Sequence, residues 1–391
     1  MVRYSFRDLV IDARTGLNPR KNFVLGKGYN YYITIKDIHS GKIVITDKTD
    51  RIDDAAIAMI KKRSRIKVGD ILFTSIGRIG ETAIVYEKDD SWDVNESVFI
   101  FTLNTEIITQ KYFCALFLSH RVQEQLQKDS SGSTFKSIKM NQLERMSFYI
   151  PELNIQRKIA DVLDKFSDLI SLRKQQLAKL DELVKVRFVE MFGDPVLNPH
   201  NYPKYKLGEL SLKISDGVHA KPEYVKDGKP FLSVVNINKR KVDFENCKFV
   251  SEEAYQKMIK STYPQRGDVL YTKVGATYGI PAYVDTDREF CLYVSVCLIK
   301  PNHNLINSKF LAMSMDMPYI KRQADARVKG IGVPDLHLNQ ISEFDILCPP
   351  RKMQDSFVSY IEHIKRQQLT IQQSLDKLEM LKKSLMQEYF G

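Results

Sequence analysis

Two stretches of the chain carry apolar residues at alternating steps of four and three. Ile159, Leu163, Phe166, Ile170, Leu177, Leu180 and Val184 form the first stripe, and Phe357, Ile361, Ile364, Ile371, Leu375, Leu378 and Leu385 form the second. Spacing of this kind over more than three heptads predicts two long helices that pair through a seam. Arg173 and Arg187 interrupt the first stripe, Gln368 and Lys382 the second. Pro151 and the Pro349-Pro350 pair stand just outside the helix starts, and Gly193-Asp194-Pro195 stops the first helix. A helix of about 34 residues is about 50 Å long at 1.5 Å per residue. The plainer alternative packs each stripe on its own domain, but a sustained 3.5-residue period favours a seam between helices.

The rest of the chain has a different rhythm. Short alternating or β-branched runs at Tyr31–Ile35, Asp70–Ile76, Thr82–Tyr86 and Ser97–Leu103 read as strands, as do Phe231–Val235, Asp268–Val274 and Val294–Ile299. Gly, Asn and Asp punctuate them, and one helix is expected near Lys111–Gln127. These parts are mixed α and β.

The chain also matches itself at a shift of 198 residues. Gly69-Asp70-Ile71-Leu72-Phe73-Thr74 recurs as Gly267-Asp268-Val269-Leu270-Tyr271-Thr272, and Asn141-Gln142-Leu143 as Asn339-Gln340-Ile341. Pro151 recurs as Pro349, Gln156 as Gln354, Lys179-Leu180 as Lys377-Leu378, and Phe192-Gly193 as Phe390-Gly391. Near the start the register drifts to 201, where Tyr4–Leu9 resembles Tyr205–Leu210. Indels confined to the globular parts are what loops beside a fixed-length spacer produce. Two copies, each large enough for its own core, make a duplicated domain pair and not a solenoid.

The expected fold class is therefore α+β: two mixed α/β globular domains separated by two long helices forming an antiparallel coiled coil, in a pseudo-twofold tandem repeat. The boundaries are 1–150 for the first domain, 151–193 for the first helical region, 194–348 for the second domain and 349–391 for the second helical region.

At 391 residues more than one domain is the default. The first residues lack the apolar core of a signal peptide and no run approaches the length of a membrane span, so a cytoplasmic location is expected. Cys114, Cys247, Cys291, Cys297 and Cys348 form no CxxC pair and read as buried free thiols, not zinc ligands or disulfides. The net charge of +11 suits a polyanionic partner. Residues 156–192 hold 8 basic and 6 acidic side chains and residues 354–390 hold 5 of each, so the excess lies in the globular parts. A nucleic acid would meet those parts first.

No phosphate-binding GxxxxGK[ST] loop, no GxGxxG after a strand and no Asn-Pro-Pro-aromatic tetrapeptide for gripping a flipped adenine occurs. No cofactor, metal site or catalytic residue is expected. Two other classes stay open on residues alone: an autonomous DNA-modifying enzyme with an active site assembled from distant residues, and a coiled-coil scaffold that never touches DNA.

Several of these features resemble the specificity subunits of type I restriction-modification systems. The passage from Asn141-Gln142-Leu143 through Ile150-Pro151 to Gln156, repeated from Asn339 to Gln354, is similar to that family's domain-to-helix junction, although Pro151-Glu152 and Asn154-Ile155-Gln156 depart from its commoner P-x-x-E-Q. Glu190–Pro195, followed by Asn198-Pro199 and Tyr202-Pro203, resembles the passage into its second domain. Asp216-Gly217-Val218-His219-Ala220-Lys221-Pro222 resembles its D-G-x-H-x-x-P opening, from which the first copy departs with Ala13–Pro19. The resemblance spans essentially the whole chain. It implies two target-recognition domains with helical spacers and no catalysis of the chain's own. The implied partners are double-stranded DNA, two methyltransferase subunits and translocase-nuclease subunits, with no membrane. An antiparallel helix pair with one domain at each end has a pseudo-dyad, which suits a bipartite, asymmetric target. Half-sites about one helical turn apart, ~10 bp or a little more, are then expected.

Base reading needs side chains on loops or strand ends, with Arg and Lys for guanine and Asn or Gln for adenine. In the first domain the candidates are Arg78 in the loop Ser75–Gly80, and Ser133, Thr134, Lys136 and Lys139 in and beside Ser130–Ser137. In the second domain they are Lys273, Thr277 and Tyr278 in Thr272–Gly279, Arg327 and Lys329 in Arg327–Gly332, and His219. Lys36, Lys221, Lys239 and Arg240 fit phosphate contacts better. The copies differ most in these loops, which predicts two different half-sites. The helix stripes pair with each other and leave their outer faces for the methyltransferase subunits, or the reverse; the residues do not separate the two.

Overall fold

Ile71–Thr74 and Val269–Thr272, the strands after the two Gly-Asp pairs, are buried at every position. In the computed structural model of the chain the reason is that each lies inside a sheet covered on both faces, so its apolar run need not alternate with polar residues. The structure describes residues 1–20, 22–39, 41–131, 136–238, 240–328 and 333–391. The chain divides into two units, Met1–Lys174 with Gln372–Gly391, and Gln175–Ile371.

In the first unit an antiparallel sheet has the order Val10–Thr15, Val98–Leu103, Ile71–Thr74, Thr82–Ile84. Alternate residues face opposite cores. Ile71, Phe73, Phe99 and Phe101 join Phe113, Phe117 and Phe148 on one face, while Leu72, Val98 and Ile100 join Ile33, Trp92 and Val94 on the other. A second sheet orders Asp50–Ile52, Asn30–Ile33 and Trp92–Val94, the last pair parallel. Val2–Ser5 pairs with Ser147–Ile150 and brings the start of the chain beside the entry to the long helix. The single helix expected near Lys111–Gln127 is two, Gln110–Leu118 and His120–Asp129, because Ser119 takes an extended backbone and returns its hydroxyl to the Leu116 carbonyl at 2.6 Å.

The second unit repeats this plan. Its sheet runs Ser211–Asp216, Val296–Pro301, Val269–Thr272, Pro281–Tyr283, beside a second sheet of Lys248–Val250, Lys229–Leu232 and Cys291–Leu292. Val269, Tyr271, Cys297 and Ile299 face one core; Leu270, Val296 and Leu298 face the other.

Both long helices have 40 residues, Leu153–Phe192 and Arg351–Phe390, about six more than the length expected from the sequence. Within the first unit the start of one meets the end of the other. Ile159 and Leu163 share a core with Phe390, whose ring lies 5.3 Å from that of Tyr112, and Lys174 pairs with Glu379 at 2.8 Å. Within the second unit Val184, Phe188 and Phe192 pack on Phe357, Ile361 and Ile364 around Phe310. In each unit the helix segments therefore run antiparallel. Every residue of the two stripes is buried or half-buried, whereas Leu169, Leu172, Leu183, Val186, Leu369 and Met380, off the stripes, are exposed. The polar interruptions are matched across the seam: Lys382 donates to Ser167 at 2.7 Å and Gln368 to Asp181 at 2.9 Å.

Gln156 and Gln354 show why the junction recurs. Each is almost wholly buried. Gln156 accepts from the Thr109 N–H at 2.9 Å and donates to the carbonyls of Ile107 and Pro151 at 2.7 and 2.8 Å. Gln354 accepts from the Asn307 N–H and donates to the Pro349 carbonyl, both at 2.8 Å. One side chain thus fixes the helix start to the residue that caps a short helix earlier in the unit, Gln110–Leu118 in the first and Ser308–Met315 in the second. Of the cysteines, Cys291, Cys297 and Cys348 are buried, while Cys114 and Cys247 are only half-buried. Burial pushes the Cys114 thiol up to about 11, which suits an unreactive packing role.

Candidate nucleic-acid interface

Beyond the end of each central strand the chain turns and pairs with the segment that leads into the helical junction. In the first unit Ser75 N–H donates to the Ser97 carbonyl at 3.0 Å, Gly77 N–H to Lys136 at 3.2 Å and Ile138 N–H to Ser75 at 2.9 Å. In the second, Lys273 N–H donates to Ser295 at 3.0 Å, Gly275 N–H to Pro334 at 2.9 Å and Leu336 N–H to Lys273 at 2.9 Å. The backbone is the same; the side chains are not. The strands expected to reach Ile76 and Val274 end at Thr74 and Thr272 because these pairings draw the chain aside. Gly77 and Gly275 sit at φ of +72° and +90°, the left-handed region that the turn requires and glycine tolerates.

The first unit brings Lys36, Arg78 and Lys136 to one corner. Arg78 does not project freely: its guanidinium donates to the carbonyls of Ile35 and Ile38 at 3.3 and 3.2 Å and pairs with Glu81 at 3.2 Å. It clamps the short helical turn Ile35–Asp37, on which Lys36 is exposed. Lys136 is exposed, with Nζ 3.4 Å from the Gln127 amide oxygen, and Lys139 is exposed before the helix Met140–Leu143. Ser133 and Thr134 lie outside the described residues.

The second unit corrects more of the candidates. Lys273 is buried, its side chain 6% exposed, with Nζ 3.6 Å from both Asp216 Oδ2 and Asp335 Oδ1, so it cannot reach a base. Tyr278 gives its hydroxyl to Asp325 and carries the Lys321 ammonium 3.2 Å from its ring centroid. Lys321, and then that hydroxyl, hold the Asp325 carboxyl below the usual carboxylate range. Arg240 pairs with Asp316 at 2.5 Å; burial raises the Asp316 carboxyl while Arg240 opposes the rise. Arg327 donates to the carbonyls of Gln323 and Glu343 at 2.9 and 3.2 Å, folded on its own domain. Burial and internal hydrogen bonds have claimed groups that composition alone leaves free. Thr277, His219 and Lys221 are exposed, the first lending its carbonyl to Thr272 Oγ1 at 2.7 Å. His219 Nε2 stands 3.5 Å from Asp216 Oδ1, and Lys221 Nζ stands 5.9 Å from the Tyr224 ring. Lys239 and Lys329 lie outside the described residues.

Asp216 and Asp335 were not among the candidates. Asp216 stands in the D-G-x-H-x-x-P stretch, but only the pairing of Lys273 with Leu336 shows that two carboxylates share one ammonium. The first copy keeps part of that motif. A Cβ on Gly217 would stand 2.0 Å from the Leu292 carbonyl oxygen, and one on Gly16 1.8 Å from that of Val94. The glycine is a close-packing need in both units, whereas Asp216 is Thr15 in the first. Among the described residues no group of three or more His, Cys, Asp or Glu side chains is placed to hold a metal ion, and no helix is long and apolar enough to cross a membrane.

The family described as Type I restriction modification DNA specificity domain matches residues 8–182 and 199–380. The type I restriction enzyme MjaIX specificity subunit of Methanocaldococcus jannaschii is 24% identical over 91% of this chain and 84% of that protein. The crystal structure of a type I restriction-modification S subunit from M. genitalium has the same fold, with a TM-score of 0.58 at 14% identity over 100% of this chain and 96% of that one. A chain from a study of complex assembly and conformational transition of the type I R-M system matches with a TM-score of 0.60 at 17% identity, over 100% and 97%. With two matched segments that cover most of its length, and the duplicated plan of each unit, the chain belongs to the family of type I restriction-modification specificity subunits, the non-catalytic components of those systems.

Proposed function

We propose that each unit reads one half of a bipartite, asymmetric DNA target in the cytoplasm, and that the chain delivers two adenine methyltransferase subunits, and translocase-nuclease subunits, to that target. The observation that carries this is the loop pair repeated in the two units: Ser75–Gly77 against Lys136–Ile138, and Lys273–Gly275 against Pro334–Leu336. An unchanged backbone that presents different side chains is what two readers of different half-sites need, since specificity comes from side chains at base edges and position from the scaffold. Lys36, Lys136 and Lys139 in the first unit, and Lys221 with His219 in the second, are the exposed groups for phosphate or base. The 40-residue helices, each about 60 Å long if straight, serve as the spacer between half-sites. The domain limits 1–150, 151–193, 194–348 and 349–391 belong to this reading.

The experiment is to express the chain with its methyltransferase subunit and map methylated adenines across a genome. Methylation at one two-part sequence with a fixed spacer is the expected result. Methylation by the chain alone, or scattered over unrelated sequences, refutes it.

A further inference from the structure

The buried ammonium of Lys273 has two carboxylates 3.6 Å away, and they come from different segments. Asp216 closes the strand Ser211–Asp216 and opens the stretch that leads to the exposed His219 and Lys221; Asp335 lies in the segment paired with Val274. Asp335 Oδ1 is buried and accepts no hydrogen bond. The Lys273 ammonium, on a side chain 6% exposed, is removed from water and persists as a charge only beside counter-charges. The first unit has no such device: the matching positions are Ser75, Thr15 and Ser137, all uncharged, and the Ser75 hydroxyl merely donates to the Ser97 carbonyl at 2.8 Å.

We infer that Lys273 is a positioning residue of the second reader, latching the stretch from Asp216 to Lys221 to the segment Pro334–Leu336 without touching DNA. The inference rests on the two-reader proposal above. Lys273 does two things at once. It draws together two segments that the backbone hydrogen bonds join only through the strand end between them. It also neutralises part of the Asp216 and Asp335 charge on a surface that must approach phosphates. Without it, two carboxylates face the same space and repel each other and the DNA phosphates. His219, 3.5 Å from the other oxygen of Asp216, inherits its position from the same latch. Recognition by the second unit thus depends on an internal charge cluster that the first unit does without.

The test uses the full chain with its methyltransferase subunit and a plasmid library in which each half-site is varied one base at a time. For wild type and for Lys273→Met and Asp335→Asn, the readout is methylation of the cognate site relative to single-mismatch sites, scored separately for each half. Lys273→Met removes the charge and keeps the stem volume. Asp335→Asn breaks one arm of the latch at a half-exposed position and is the deciding variant if Lys273→Met does not fold. The expected result is a loss of discrimination of tenfold or more at one half-site only, with the other half and the spacer unchanged. A merely structural role would lower methylation at every site and leave both ratios intact. Unchanged ratios, or equal relaxation of both half-sites, overturn the inference. A wild-type chain with no bipartite site overturns the two-reader proposal instead.

Discussion

The Arg14 guanidinium lies 2.8 Å from Asp70 Oδ2, both side chains almost fully buried, while the matching Asp268 takes its counter-charge from Lys300 at the same distance. The two aspartates do the same local work, accepting the N–H of Lys67 and of Gln265 at 2.8 Å to close the turn before the central strand. Their cations come from different strands, Val10–Thr15 in one unit and Val296–Pro301 in the other. Position 14 corresponds to Ser215, and Thr102 to Lys300.

Removal of Arg14 leaves a buried carboxylate without its cation, so Arg14→Ser is expected to cost about 3–5 kcal/mol. Adding Thr102→Lys copies the second unit's arrangement and is expected to recover at least half of that loss. Urea midpoints of the two variants check this, and a double variant no more stable than the single one refutes the exchange.

Gln156 satisfies three backbone groups and Gln354 two. Each polar group left unpaired in the interior costs roughly 1–3 kcal/mol. Gln156→Leu is expected to destabilise by about 3 kcal/mol or more, and Gln354→Leu by less. Thermal unfolding of the two variants measures the difference; equal losses would count against the count of partners as its cause.

Burial holds the Lys382 ammonium below the ordinary lysine value of 10.5. The folded chain therefore binds fewer protons here than the unfolded chain between the lowered value and 10.5. This group's contribution to stability is fully present above that window and is lost as pH falls through the lowered value. Lys382→Met removes the penalty at neutral pH, and Ser167 keeps its own bond to the Leu163 carbonyl at 2.8 Å. The variant is expected to have the higher denaturant midpoint at pH 7, with the advantage shrinking as pH approaches 10.5. An advantage that stays constant with pH would mean that charge burial is not the cause.

Lys36 and Lys136 are exposed beside the first unit's loop pair. If they meet phosphates, Lys36→Ala and Lys136→Ala each weaken DNA binding uniformly across sequences and reduce the salt slope by about one. Fluorescence anisotropy over a salt series reads this directly. A change confined to particular sequences would make them base readers.

The helix pair should behave as a ruler. One heptad inserted into only one long helix shifts a seam against its partner and is expected to abolish folding or DNA binding. Matched heptads in both, near Lys174 and near Gln372, should lengthen the spacer between half-sites by about three base pairs, since seven residues rise about 10.5 Å and DNA about 3.4 Å per pair. Methylome mapping gives the answer, and an unchanged spacer in a folded variant rules the ruler out.

The duplication, the two long helices and their stripes were legible in the chain because they obey short-range rules. A 3.5-residue period identifies a seam wherever the partner lies, and Gly-Asp or the junction glutamine recurs because the same local turn or cap recurs. The strand runs were legible too, with ends displaced by one or two residues where Ser75 and Lys273 turn into the loop pair. Which cations are free is a different kind of fact. Lys273, Arg240, Arg327 and Arg78 look alike in sequence to Lys36 and Lys136. Only the tertiary structure brings Asp216 and Asp335, Asp316, or a row of backbone carbonyls within reach of the first four. Charge pairing and burial depend on distances between residues that are remote in the chain. The sequence by itself thus determined the repeated scaffold, and the packing of remote segments decided which side chains on it are paired within the chain and which stand exposed.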